Sequence, residues 1–365
     1  MRDLFRGYYQ PTAIELAEIW QNCIFSFDAN VLLNFYCYTS ETRERFFEIL
    51  NQLQERIWLP YQVAYEYQKN RILVITNHLK AYDDLERILN KKFQELRFEL
   101  FPEYKCHPFI NSQQILDNFE KTIEETKSQI KIARSLHPNY LEFDEIRELL
   151  SDLFEGKVGQ PYSEEELEDI YQKAEKRFSY KQPPGYKDAH KPVPRSYGDV
   201  VLWFQLIDYA KVQQKPIVFV TDDNKEDWWV KYNGKSLEPR PDLIQEILSA
   251  VGVKSFQFYM YHSDSFINYA EKFLGLPERP EAVKEAREII LQEKGEKRIS
   301  VESNYLRSVG YDASEQVLEI EFKNGEVYQY KDVPIAIYTD LMTASSHGKY
   351  FNANIKDVYP NQKLS

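Results

Sequence analysis

The feature that most constrains the fold is a short apolar run, residues 23–27, that ends in Asp28 and is followed at once by an amphipathic segment. Such a run predicts a buried strand of a parallel sheet, and the next segment predicts a helix with Asn30 as its N-cap. Residues 216–220 repeat the pattern and lead into residues 221–223, Thr-Asp-Asp. Ligands of open α/β sheets bind at the carboxyl edge of the strands, so acids at two strand ends predict a site there. Taken alone, Asp28 could equally serve only to cap the helix.

Short apolar runs alternate with amphipathic segments over most of the first 275 residues. This order predicts a parallel sheet with helices on both faces. The predicted strands are residues 23–27, 56–60, 216–220 and 254–261, and the predicted helices are residues 12–21, 40–54, 61–71, 196–210, 241–251 and 263–273.

Composition limits the classes of protein that fit. The chain has 365 residues, enough for about two domains of ~150 residues. Its formal net charge of −12 argues against binding nucleic acid over the whole surface, although a local basic strip would be compatible with it. Three cysteines without a recognisable spacing predict neither a disulfide framework nor a zinc site. With no apolar stretch of membrane-spanning length, we expect a cytoplasmic protein without a membrane partner.

Two segments interrupt or follow the α/β pattern. Residues 76–176 are charged and helical, and we interpret them as an inserted helical hairpin or small bundle with turns at Phe101-Pro102 and His107-Pro108. Residues 276–299 are polar and predict a linker. Residues 300–360 contain two alternating runs around an Asn-Gly turn, which predict a β-hairpin in a small α+β domain. The first domain is therefore expected to span residues 1–275.

The candidate catalytic residues are carboxylates. Asp28 and Asp223 follow strands, with Asp222 beside the latter, and Glu66 and Asp199 lie in the first turns of predicted helices. Several carboxylates converge only around a cation, because like charges raise one another's pKa. Oxygen ligands of this kind select Mg²⁺ or Mn²⁺, and such sites serve phosphodiester hydrolysis.

A basic and aromatic segment precedes Asp199. Basic residues interleaved with aromatic ones on a proline-rich loop can pair with phosphates and stack on bases, although a solvated surface loop would have the same composition. The predicted substrate contacts are Lys181, Tyr186, Lys187, Lys191 and Arg195. Asp227 either supports the acidic site from the following turn or caps that turn.

Three motifs together resemble the PIN-like domain family, in the bacterial group that carries a long helical insertion. They are FDANVLLNFY, PPGYKDAHKPVPRSYGDVVLWFQLIDYAK and IVFVTDDNKEDWW, to which the helix with Glu66 is added. The resemblance implies a three-layer α/β/α nuclease fold that uses Mg²⁺ or Mn²⁺. It also implies a set of metal ligands: Asp28 as the first ligand, Glu66 as the second acid, Asp199 as the third and Asp223 as the fourth, with Asp222 as a further candidate. Asn30 and Thr221 are implied as supporting residues.

Residues 300–360 resemble the KTSC domain. The resemblance lies in Leu318-x-Ile320-x-Phe322, Gly325-x-x-Tyr328-x-Tyr330 and Ser346-x-Gly348-Lys349-Tyr350-Phe351. It implies a module that contacts nucleic acid or a protein partner and assigns no catalytic residue.

The sequence therefore predicts a metal-dependent nuclease, with single-stranded RNA favoured over DNA. Two alternatives remain open. A phosphatase of the haloacid dehalogenase type would need a second Asp two residues after Asp28, where this chain has Asn30. A non-cleaving nucleic-acid-binding or toxin–antitoxin-type regulator could share the fold. The resemblance also associates the chain with toxins and antiviral defence.

Overall fold

The computed structural model contains two sheets of more than two strands, together with an antiparallel pair, and thirteen α-helices within its described residues. It describes residues 1, 4–104, 107–232, 235–253, 256–293, 299–301, 303–312, 316–344 and 346–363. The strands are β1 (Ile24–Phe27), β2 (Ile57–Trp58), β3 (Ile217–Val220), β4 (Trp229–Tyr232), β5 (Lys235–Pro239), β6 (Phe258–Tyr261), β7 (Ile299–Ser300), β8 (Leu306–Asp312), β9 (Val317–Phe322), β10 (Val327–Tyr330) and β11 (Asn361–Lys363).

The helices account for most of the remaining chain. They are α1 (Ala13–Asn22), α2 (Ala29–Leu33), α3 (Ser40–Gln52), α4 (Tyr61–Tyr104), α5 (Ser112–Leu136), α6 (Glu145–Phe154), α7 (Glu164–Ser179), α8 (Gly198–Gln213), α9 (Pro241–Val251), α10 (Ser263–Leu274), α11 (Pro280–Glu293), α12 (Ile335–Thr343) and α13 (His347–Asn354). In the described part of the chain, no helix is both long and apolar enough to cross a membrane.

The first sheet is parallel throughout, in the order β2-β1-β3-β6. All four residues of β1 and all four of β3 are buried, which explains why both strands are continuous apolar runs rather than alternating ones. The register pairs Phe27 with Val220, so β1 and β3 end side by side. The predicted parallel sheet is therefore confirmed, and its two acid-bearing strand ends are neighbours.

Helices cover both faces of this sheet. Phe25 packs on one face against Trp20 of α1 and Phe266 of α10. Phe219 points to the other face, where Trp228 joins it to Trp203 of α8. This is the predicted three-layer α/β/α arrangement.

The helical insertion begins as a direct continuation of the helix that carries Glu66. Helix α4 runs for 44 residues and packs against α5, which confirms the predicted helical hairpin. The turn expected at Phe101-Pro102 is wrong, because α4 continues to Tyr104. Pro102 removes one i→i−4 hydrogen bond, but α4 ends two residues later, so little of the helix depends on that bond. His107 and Pro108 do lie between the two helices.

The predicted linker contains helix α11. Its Ala286 and Ile289 belong to the same apolar core as β1 and β3, and α11 contacts α3 and α10. We therefore propose that the first domain extends through α11 and not only to residue 275. Residues 294–298, which belong to the same predicted linker, lie outside the described residues.

The C-terminal sheet is antiparallel, in the order β11-β10-β9-β8-β7. Strands β9 and β10 form the predicted hairpin, with Tyr330 opposite Leu318. Tyr330 and Phe351 are buried and pack edge to face at 5.6 Å, so both belong to the small core. The predicted small α+β domain is confirmed.

Candidate active site

Asp28 lies where β1 ends and is itself the N-cap of α2. The prediction that Asn30 caps this helix is wrong: the Asp28 carboxylate accepts the backbone N–H of Ala29 at 2.6 Å. Asn30 instead donates its side-chain amide to the Asp28 carboxylate at 2.9 Å, and its side-chain oxygen accepts the N–H of Asp222 at 3.1 Å. Asn30 therefore connects the ends of β1 and β3.

Thr221 is a second connection between these strand ends. Its hydroxyl donates to the Asp28 carboxylate at 2.7 Å and accepts the backbone N–H of Asp223 at 3.1 Å. Burial and the negative charges of Glu66 and Asp223, opposed by the Thr221 hydrogen bond, together raise the pKa of Asp28 to about 7. Asp28, Glu66 and Asp223 are therefore close enough to interact electrostatically.

Glu66 reaches the site from the second turn of α4. Gln62, one turn earlier, donates its side-chain amide to the Glu66 carboxylate at 2.6 Å. A Cβ placed on Gly198 would lie 2.7 Å from Oε1 of Glu66, which is closer than atoms approach without displacement. The absence of a side chain at Gly198 therefore lets the start of α8 approach Glu66.

Asp199 follows Gly198 in the first turn of α8. Burial raises its pKa well above the ordinary value, the charges of Asp223, Asp188 and Asp227 add to the effect, and Lys225 opposes it. Its Oδ2 atom is buried without a hydrogen-bond partner among the described residues. Gly185 has a φ of +92° and packs closely against Asp199: a Cβ there would be 3.3 Å from the Cβ of Asp199. The four acids predicted from the sequence thus form one connected acidic neighbourhood.

The structure adds two residues that the sequence analysis did not assign to the site. The ammonium group of Lys225 lies 2.6 Å from Asp223, 3.1 Å from Asp188 and 3.5 Å from Asp199. Burial opposes the charge on Lys225, but the three carboxylates raise its pKa above the ordinary value. Burial alone would raise the pKa of Asp188, whereas Lys225 and Lys191 hold it below its ordinary value. The signal in the sequence was Asp188 in GYKD, an acid in an otherwise basic loop, and the structure shows that it is buried.

Asp222 is directed away from these acids. Its carboxylate accepts the Ser263 backbone N–H at 2.8 Å, the Ser263 hydroxyl at 2.6 Å and the Asn34 side-chain amide at 3.0 Å. Both oxygens are thus occupied at the start of α10, and Asp222 is not brought to the neighbourhood of Asp28.

Asp227 connects two loops. One oxygen of its buried carboxylate accepts the backbone N–H groups of Gly185 and Lys187, at 3.0 and 3.1 Å. These bonds fix the segment that carries Asp188 against the segment that follows β3. Of its two predicted roles, the geometry favours a supporting one.

The basic loop lies beside the acidic residues, with part of its charge paired internally. Lys187 contacts Glu226 at 3.1 Å, and Lys191 contacts Asp188 at 2.6 Å. Tyr186 is half-buried, whereas Lys181 and Arg195 are exposed. Lys181 and Arg195 are consequently the better placed of these cations to meet a ligand from solvent.

The acidic neighbourhood fits a divalent ion in its chemistry. In the described part of the chain, no group of three or more His, Cys, Asp or Glu side chains could hold a metal ion as it stands. However, the donors are hard oxygens and two of the carboxyl groups have raised pKa values; the buried Oδ2 of Asp199 accepts no hydrogen bond from the described residues and lies 3.5 Å from the Lys225 ammonium. A divalent ion would fit once the Lys225 ammonium moves away from the carboxylates.

The chain is similar to two protein families and, over short segments, to individual proteins. The family model described as a PIN like domain matches residues 24–243, and the KTSC domain model matches residues 302–359. An uncharacterized protein of Stutzerimonas stutzeri is 43% identical over 60 residues, which cover 16% of this chain and 84% of that protein. The lysine–tRNA ligase of Trichormus variabilis is 34% identical over 64 residues, covering 18% of this chain and 11% of that enzyme.

Among solved structures, a KTSC domain protein from Yersinia pestis is 35% identical and covers 19% of this chain and 97% of its own, with a TM-score of 0.19. The PIN-like match spans more than half of the residues and includes β1, α4, α8 and β3, the four elements that bring the acids together. The chain therefore belongs to the PIN-like domain family and carries a KTSC domain at its C-terminal end.

Proposed function

We propose that this chain is a metal-dependent nuclease that cleaves single-stranded RNA. One observation supports the proposal: four acids from four separate elements, near the carboxyl edge of the parallel sheet in a PIN-like domain of nuclease-type fold, are connected by electrostatic interactions. We further propose that Mg²⁺ or Mn²⁺ is held by Asp28, Glu66, Asp199 and Asp223. Asp222 is left out of this set because Ser263 and Asn34 occupy its carboxylate.

The protein residues would prepare the site in three ways. Thr221 and Asn30 hold the ends of β1 and β3 in register, so that Asp28 and Asp223 keep a fixed separation. Asp227 positions the loop that carries the predicted substrate contacts. When bound, the divalent ion supplies a Lewis acid that lowers the pKa of water and stabilises charge on phosphate oxygens.

Substrate binding is assigned to the basic loop and the KTSC domain. Lys181 and Arg195 are exposed cations that can pair with phosphates, and Tyr186, Lys187 and Lys191 line the same segment. Similarity to part of a lysine–tRNA ligase supports a nucleic-acid contact through the KTSC domain, with a protein partner as the alternative occupant.

A second candidate is a non-cleaving nucleic-acid-binding regulator with the same fold. The observation that favours it is the Lys225 ammonium, which neutralises part of the acidic charge without any metal. Calorimetric titration with Mn²⁺ separates the two functions, since a degenerate site would show no binding.

The decisive experiment incubates labelled single-stranded RNA and DNA with the full chain, with and without Mn²⁺. We expect Mn²⁺-dependent cleavage of RNA that exceeds cleavage of DNA. The variants Asp28→Asn and Asp199→Asn should lose about a hundredfold or more of the activity.

The matched control is Asp208→Asn, on the same helix as Asp199 but with an exposed carboxylate that pairs with Lys211 at 3.0 Å and accepts the Tyr162 hydroxyl at 2.8 Å. It should retain activity within about twofold. Cleavage by Asp28→Asn and Asp199→Asn at the rate of the unmodified chain would overturn the proposal.

A further inference from the structure

The position of Lys225 among the acids has a consequence for how a cation enters the site. Its backbone N–H donates to one oxygen of Asp223 at 2.9 Å, and its ammonium donates to the other oxygen at 2.6 Å. The chain thus folds back on Asp223 and directs the ammonium toward Asp188 and Asp199. The Lys225 charge faces three carboxylates that come from three different segments, and one of them, Asp188, is also held by Lys191 at 2.6 Å.

The ammonium satisfies these carboxylates unequally. It lies within hydrogen-bond distance of Asp223 and Asp188. Its contact with the buried Oδ2 of Asp199 is longer, at 3.5 Å, and that atom accepts no hydrogen bond from the described part of the chain. A divalent ion carries twice the charge and contacts oxygens at about 2.1 Å, so it would neutralise three converging carboxylates better than an ammonium does. The geometry therefore matches a pocket for a divalent cation that is occupied by the singly charged ammonium of Lys225.

The Lys225 side chain can also move from the pocket into solvent. The Lys225 side chain is 31% exposed, whereas the side chains of Asp188, Asp223 and Asp199 are 9%, 13% and 21% exposed. Lysine is a point charge on a flexible four-carbon stem, so it can turn to solvent without moving the backbone. The aspartate side chains, in contrast, are shorter and less exposed than that of Lys225.

We propose that Lys225 is the resident cation of this pocket in the metal-free chain, that a divalent ion displaces its ammonium, and that Asp188 belongs to the ligand set. This inference rests on the proposed function and extends it, because it names an acid and a competing cation that neither the sequence analysis nor the family comparison assigns. It implies that the affinity for the metal depends on the competing interaction of Lys225 with the carboxylates, and not only on the ligands.

The test measures Mn²⁺ binding to the full chain by calorimetry after removal of metal with EDTA. Lys225→Met should lower the dissociation constant for Mn²⁺ about tenfold or more, because the competitor is gone. Asp188→Asn should raise it about tenfold or more, because an oxygen ligand is lost. Lys225→Met should also melt at a lower temperature in EDTA and recover that loss when Mn²⁺ is added.

The matched control is Lys211→Met, which removes an exposed lysine paired with Asp208. Its dissociation constant for Mn²⁺ should stay within about twofold of that of the unmodified chain. If Lys225→Met does not fold without metal, Lys225→Arg retains the charge and should bind Mn²⁺ no more tightly than the unmodified chain, while Asp188→Asn tests the ligand independently. Unchanged or weaker binding by Lys225→Met, or unchanged binding by Asp188→Asn, would overturn this inference alone. Absence of Mn²⁺ binding in the unmodified chain and all variants would overturn the proposed function as well.

Discussion

The buried carboxyl group of Asp28 should make the metal-free protein less stable as the pH rises. Its pKa is about 7 in the folded chain because of burial and the charges of Glu66 and Asp223, against an ordinary value of 3.8. Below pH 3.8 Asp28 is protonated in both the folded and the unfolded chain, so its full contribution to the free energy of unfolding is present. That contribution is lost as the pH rises through about 7. The difference between the two pKa values corresponds to roughly 4 kcal/mol.

The perturbation that isolates this effect is Asp28→Asn, because an amide stays neutral at every pH. The folded carboxyl group stays protonated up to about pH 7 while the unfolded one is already ionised at pH 5. Because proton binding and folding are linked, the free energy of unfolding of the unmodified chain should fall by about 2.5 kcal/mol between pH 5 and pH 8. The stability of Asp28→Asn minus that of the unmodified chain should therefore grow by that amount over the same interval.

Urea unfolding in EDTA, followed by tryptophan fluorescence, measures the difference. All five tryptophans lie between residues 20 and 229, so the signal reports on the PIN-like domain. Asp208→Asn, at an exposed carboxylate, should show no such growth. A stability difference that is equal at pH 5 and pH 8, or larger at pH 5, would refute the reasoning, as would a pH dependence that persists when saturating Mn²⁺ is added.

Three further predictions concern packing and the metal. Gly198→Ala should displace the Glu66 carboxylate, whose Oε1 would lie 2.7 Å from the new Cβ, so calorimetry should show weaker Mn²⁺ binding with little change in thermal stability. Arg45→Met should cost about 3–5 kcal/mol in urea unfolding because it leaves Glu271, which is 2% exposed, as an unpaired buried charge; an unchanged unfolding midpoint would contradict this. Mn²⁺ at a hundred times its dissociation constant should stabilise the chain by about 2.7 kcal/mol, and the gain should vanish in Asp199→Asn.

The local hydrophobic pattern of the sequence was enough to predict the architecture and the positions of the acids at the strand ends. The apolar runs that become β1 and β3 are detectable because both strands are buried on both faces, and parallel pairing then requires their ends to share an edge. The positions of Asp28 and Asp223 follow from that edge. The β-hairpin of the KTSC domain was similarly predictable, because alternation and an Asn-Gly turn are local signals.

The direction and pairing of individual side chains depended on tertiary neighbours. Asp222 and Asp223 are adjacent in sequence, yet the first turns to Ser263 and the second to Lys225, because successive residues point in different directions and distant segments supply the partners. The amino-acid sequence was sufficient to determine which strands end in acids, because a strand buried on both faces is a continuous apolar run in the sequence. Only the tertiary structure decided which acids share one cation, because Asp188 and Lys225 meet through contacts between segments 37 residues apart.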